Sequence, residues 1–155
     1  MKQPKTWYLV ADGAQAHIVR ELVRDPETGE RLDDVSFQAE HKPMRRIMSD
    51  RPGRSFASHG ARRSAMEYHS NPVREQQVRF AERLVGYLEE QYAVAAFDRL
   101  VIAAEPRMLG TIRHTLPQSL KQRLIAEFDK DLTKLPAEAL YSALRELNIG
   151  HAVGL

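Results

Sequence analysis

Cysteine is absent from this chain of 155 residues, which excludes disulfides and thiol catalysis and fits a reducing compartment. Long apolar runs are absent too, and nothing approaches the ~20 residues needed to cross a bilayer. The start, Met1-Lys2-Gln3-Pro4-Lys5, is basic, but the apolar run behind it extends only from Trp7 to Ala11 before Asp12 interrupts it. That is too short for the hydrophobic core of a secretory signal. These absences predict a soluble, cytoplasmic protein without membrane insertion. No GxSxG, P-loop or GxGxxG motif occurs, and the histidines at 17, 41, 59, 69, 114 and 151 show no HxH or HxxxH spacing. Neither a zinc site nor a cofactor is expected. What remains is ordinary: 43% hydrophobic and 28% charged residues, enough for one globular domain over 1–155 to bury a core without cross-links.

The net charge is only +2, but it is unevenly spread. Between Lys42 and Arg63 stand seven basic side chains (Lys42, Arg45, Arg46, Arg51, Arg54, Arg62, Arg63) against one acid, Asp50, so this segment carries +6 and the rest of the chain −4. Such asymmetry says little about fold and more about what the segment attracts: phosphates, acidic proteins or anionic surfaces.

Thr6 to Ala11 (TWYLVA) is aromatic and β-branched and predicts a strand. Asp12-Gly13 suits a tight hairpin turn, Gly13 tolerating positive φ. Ala16 to Val23 then predicts a second, antiparallel strand. Asp25 to Gly29 is a turn, and Leu32 to His41 a third strand with Val35, Phe37 and Ala39 on one face. Periodicity vanishes over about 42–71, where Pro43, Pro52, Gly53 and Gly60 punctuate a Ser- and Arg-rich stretch with few large apolar residues. A loop of that length is expected to be mobile when free, and to be functional. Asn71-Pro72 predicts a helix start, with Asn as cap and Pro at the first helical position. Phe80, Ala81, Leu84, Val85, Leu88 and Tyr92 then form one apolar stripe. Phe97 to Ala104 predicts an inner strand covered on both faces. Pro106 and Pro117 open short helices, the second carrying Leu120, Leu124 and Ile125. Ala126 to Thr133 predicts an edge strand, and Pro136 a last helix with Leu140, Leu144 and Leu147, stopped at Gly150. This order implies an α/β fold: a mixed sheet of about five strands, an antiparallel meander followed by crossover units with helices packed on it.

Val10-Ala11-Asp12-Gly13-Ala14-Gln15-Ala16-His17-Ile18, Ser49-Asp50-Arg51-Pro52-Gly53-Arg54-Ser55-Phe56 and Asp129-Lys130-Asp131-Leu132-Thr133-Lys134-Leu135-Pro136 resemble the bacterial family called "protein required for attachment to host cells". That family in turn resembles the central domain of archaeal and eukaryotic peptide-chain release factors. The resemblance implies a ribonuclease-H-like fold opened by a strand–Asp-Gly–strand hairpin, with a long loop before a long helix. In release factors the loop carries a Gly-Gly-Gln tripeptide, usually followed by Ser-Ala, that promotes hydrolysis of peptidyl-tRNA. Here Gly60 and Ser64-Ala65 match, but Ala61-Arg62-Arg63 stands where Gly-Gly-Gln would be. Two glycines permit a close backbone approach that Ala-Arg does not, and Arg63 offers no acceptor to hold a water. The resemblance therefore implies binding to the ribosome or tRNA more than catalysis.

On this reading Arg45, Arg46, Arg51, Arg54, Arg62 and Arg63 grip phosphates. Phe56 and His59 stack on bases, and Gly60 lets the backbone come close. Two plainer readings compete: a protein partner, and a solvated loop whose arginines serve solubility. Asp12 could seed a two-metal nuclease with Glu40, Asp98, Asp129 or Asp131, but no spacing unites them and the hairpin turn is the simpler role. Asp129-Lys130-Asp131 is expected at a strand end, capping the last helix with Thr133. The alternatives to an RNA-contacting factor are a protein-interaction factor needed indirectly for attachment, and a peptidyl-tRNA hydrolase with a non-Gly-Gly-Gln loop.

Overall fold

The computed structural model describes residues 4–40 and 71–147. Five strands, β1 (Thr6–Ala11), β2 (Gln15–Val19), β3 (Val35–Gln38), β4 (Arg99–Ala104) and β5 (Leu124–Phe128), form one sheet in the order β3-β2-β1-β4-β5. β2 lies antiparallel to β1 and β3 antiparallel to β2, so the meander expected of the first forty residues is present. β4 lies parallel to β1, and β5 parallel to β4, the arrangement left by helical crossovers. The expected α/β class and mixed five-stranded sheet are therefore found.

Among the described residues four helices flank the sheet: α1 (Pro72–Ala93), α2 (Pro106–Thr115), α3 (Gln118–Lys121) and α4 (Ala137–Glu146). The cap of α1 is as its sequence predicts. The Asn71 side chain accepts from the Val73 and Arg74 backbone N–H groups, and Pro72 fills the first position, where no N–H is needed. Its stripe, Phe80, Leu84 and Leu88, is buried against Trp7, Leu9 and Ile18 of the sheet and Met108 and Ile112 of α2. Each such side chain contributes about 1.5–3 kcal/mol by leaving water. Trp7 stacks on Phe97 at 4.9 Å between ring centroids, closing the lower end of this layer. On the opposite face α4 packs Leu140, Tyr141 and Leu144 over Val10 and Val19. β1 thus contributes Trp7, Leu9 and Ala11 to one layer and Val10 to the other, the period-two division that makes it an inner strand.

Several boundaries differ from expectation: β3 begins at Val35, not Leu32, and β5 ends at Phe128, short of Thr133. β2 stops at Val19, because the residues that follow are held outside the ladder: the Arg20 guanidinium donates to the Asp33 carbonyl at 2.8 Å and Leu22 packs against the α4 cluster. Leu124 and Ile125 open β5 and do not continue α3. The four-residue spacing of Leu120 and Leu124 imitates a helix, but the edge of β4 offers a ladder from the Leu100 N–H to the Arg123 carbonyl at 2.9 Å, and the ladder wins. α4 ends at Glu146, before Leu147; the expected stop at Gly150 lies outside the described residues. None of the described helices is long and apolar enough to cross a membrane.

Candidate functional site

Because β1, β4 and β5 run parallel, their carboxyl ends share one edge of the sheet, the place where open α/β sheets usually hold ligands. The end of β3 is brought to the same edge by the Gln15–Gln38 pairing. Asp12 stands there, at the end of β1, with only 8% of its surface exposed. Its Oδ1 accepts from the Ala14 and Gln15 backbone N–H groups at 2.7 and 2.8 Å. Its Oδ2 meets the Thr133 hydroxyl at 3.0 Å and the Lys134 ammonium at 3.5 Å. Thr133 is also buried, and its hydroxyl lies 2.6 Å from Asp131 Oδ1, which accepts the Thr133 N–H at 3.0 Å as well. Asp12 and Thr133 are the only buried polar or charged residues among those described, and they meet across 121 residues of sequence.

A hydroxyl has one proton, so Thr133 cannot donate to both carboxylates at once. Two fixed N–H donors and the Lys134 charge keep Asp12 the acceptor that needs no proton of its own. Burial alone would push the Asp12 carboxyl up. The Ala14 and Gln15 N–H groups, the Thr133 hydroxyl and Lys134 together outweigh it and hold the pKa below the ordinary carboxylate value. A lowered folded pKa adds stability that is complete above the unfolded value, about 3.9, and is lost as pH falls through the folded one. Acid unfolding followed by circular dichroism is expected to show this loss, and Asp12→Asn to flatten the acid limb below pH 4. An unchanged limb would show that Asp12 is not held as described.

The turn after Asp12 is closed by this carboxylate and not by left-handed backbone. Among the described glycines only Gly29 has positive φ. Gly13 is small for another reason: a Cβ there would come within 2.8 Å of Gln77 Nε2 on α1. Since that atom ends a flexible side chain, Gly13→Ala is expected to cost less than about 1 kcal/mol, whereas the left-handed turn expected from sequence would make the cost larger. Thermal melts decide between them. One residue along α1, Gln76 donates from Nε2 to the Glu40 carbonyl at 3.1 Å, and Asn71 starts the helix beside it. Residues 40 and 71, which bound the basic segment, are therefore both set at the Asp12 edge. A concavity lined by Glu40, Gln76, Arg79 and Arg83 adjoins them.

With this geometry in view, two of the three motif strings prove to be one structure. Asp12 comes from the first and Asp131, Thr133 and Lys134 from the last. A family model described as "Protein required for attachment to host cells" matches residues 7–144. The chain belongs to that family. The match runs from β1 into α4, so it takes in both halves of the Asp12–Thr133 contact. No curated protein matches the chain.

The residues expected to contact RNA, Arg45, Arg46, Arg51, Arg54, Phe56, His59, Gly60, Arg62 and Arg63, lie outside the described residues. Asp129-Lys130-Asp131 does not cap the last helix: the cap position is Pro136, without a side-chain bond, and Asp131 turns back to Thr133. Of the carboxylates considered for a metal, Asp12 and Asp131 meet at the Thr133 hydroxyl, but no third joins them among the described residues. Asp98 sits at the opposite end of the sheet, accepting the Lys5 N–H at 2.8 Å, and among the described residues no three His, Asp or Glu side chains group to hold an ion. Sequence reading missed Thr133 as the partner of Asp12 and Gln77 as the neighbour that keeps residue 13 small. Only the specificity of the DKDLTKLP string hinted at the first.

Proposed function

We propose that this protein is a cytoplasmic, ribosome- or tRNA-associated factor, non-catalytic or weakly catalytic, that presents its basic segment to RNA from a release-factor-like, ribonuclease-H-like scaffold. The observation that carries the reading is the net +6 between Lys42 and Arg63 in a chain otherwise at −4. Both flanks of that segment are anchored, by Gln76 to the Glu40 carbonyl and by the Asn71 cap. A charged segment tethered at two points on a rigid edge loses less entropy on binding than a free tail. The strand–Asp-Gly–strand opening and the long helix after the segment support the release-factor likeness. Ala61-Arg62-Arg63, in the place of Gly-Gly-Gln, favours binding over hydrolysis.

The family description favours a second reading, a protein-interaction factor needed indirectly for attachment to host cells. Cross-linking in cells, followed by identification of what is attached to residues 42–63, separates the two. RNA or ribosomal material supports the first reading, and an envelope protein in its place overturns it. A release assay on stalled ribosomes tests the remaining alternative, a peptidyl-tRNA hydrolase. Turnover abolished by Arg63→Ala would make the protein an enzyme.

A further inference from the structure

At the end of the sheet opposite Asp12, past Val19 of β2, the chain turns through residues 20–34 and lies against the last turns of α4. Three guanidinium groups, Arg24, Arg31 and Arg145, line one concavity of about 210 Å³ there, together with Val23, Tyr141 and Glu138. Arg31 is its fixed floor. It is 11% exposed, pairs with Asp34 at 3.1 Å and donates to the Glu21 and Leu32 carbonyls at 2.7 and 3.1 Å. Its second amino group donates to the Tyr141 hydroxyl, which in turn donates to Asp34 Oδ2 at 2.6 Å. Hydrogen bonds link all three members of that triad, Arg31, Asp34 and Tyr141, and hold the floor in place.

Arg24 and Arg145 differ. Arg24 donates to the Gly29 carbonyl at 3.2 Å; Arg145 donates to the Leu22 carbonyl at 3.2 Å and to Ser142 Oγ at 3.3 Å. These acceptors are neutral, so they orient the guanidinium groups without cancelling their charge. Among the described residues the ion pairs are Arg31–Asp34, Arg113–Glu127 and Lys134–Asp12, and neither Arg24 nor Arg145 is in one. Asp34 and Asp33 face Arg31, and Glu138 is the acid among the lining residues, so the charge open to an anion is that of Arg24 and Arg145. Each guanidinium has five N–H donors in a planar fork, more than these contacts use. Val23, 66% exposed, supplies an apolar wall beside them.

We propose that this pocket binds a small oxyanion, the phosphate or carboxylate group of a small molecule, between Arg24 and Arg145. The volume falls below the ~300–1,000 Å³ of sites for drug-sized ligands, which suits a small anion. Charge-assisted hydrogen bonds from two forks give such a group its affinity. The inference does not depend on the proposed RNA contact, since the pocket is at the far end of the sheet from residues 40 and 71.

The test is a titration of the full chain with inorganic phosphate and, separately, acetate, against chloride at equal ionic strength, following the Val23, Arg24 and Tyr141 resonances by NMR. Saturable shifts with phosphate or acetate, absent with chloride, are expected, and at least about tenfold weaker binding in Arg24→Gln/Arg145→Gln. Saturation by phosphate alone identifies a tetrahedral ligand; saturation by both identifies an oxyanion site in general. Shifts that match chloride, or that survive the double substitution in a folded variant, overturn the proposal. Arg24→Gln alone, which removes one exposed contact to a turn carbonyl, gives the same reading should the double variant unfold.

Discussion

Alanine at Arg51, Arg54, Arg62 and Arg63 together is expected to weaken binding to tRNA or ribosomes about a hundredfold at low salt, and to lower the slope of log affinity against log salt by roughly 3. The slope is the sharper measurement. Each phosphate contact releases condensed counterion, so four lost contacts reduce the exponent by about four times 0.7 to 0.9. Contacts to a protein surface release no comparable counterion atmosphere. An unchanged slope in the quadruple variant, or no detectable affinity for RNA at low salt, sinks the RNA reading and leaves the protein-interaction one. The variant's melting curve should accompany the titration, so that a folding defect is not mistaken for a binding one.

Asp12→Ala should destabilise the protein by about 3 kcal/mol. It removes the acceptor of two part-buried backbone N–H groups, at roughly 1–3 kcal/mol for each group left unpaired, while the Thr133 hydroxyl keeps Asp131 as its acceptor. For a chain of this length that lowers the melting temperature by roughly 6–12 °C. Thr133→Val keeps the shape and the turn and should cost less, about 1–2 kcal/mol. The pair should not be additive, because the second substitution removes a contact already lost. Lys134 adds little, being 73% exposed and screened by solvent. Additive costs in the double-mutant cycle would mean that Asp12 and Thr133 do not support each other.

How much of this was legible depended on how local each signal is. The β1, β4 and α1 patterns are carried by six to twenty consecutive residues with one dominant period, and their elements appear where the sequence places them. Leu120 and Leu124 show the opposite case. Their four-residue spacing is genuine, but the unpaired edge of β4 lies outside any local window and decides the outcome. Asp12-Gly13 was readable as a turn but not as a buried anchor. The partner that buries it is 121 residues away, and the glycine answers to Gln77 on another element. The arginine-rich segment remains a matter of charge, because its residues lie outside those described.

The parallel pairing of β1 with β4 has a consequence for biosynthesis. Thr6 aligns with Arg99, so the central strand leaves the ribosome long before one of its two neighbours exists. Until residue 104 clears the exit tunnel, the nascent chain holds the meander with the β4 side of β1 unpaired, and contacts so distant in sequence close slowly. Such an edge is a target for chaperones and for aggregation. The contact of Thr133 with Asp12 closes later still, after 121 further residues of synthesis.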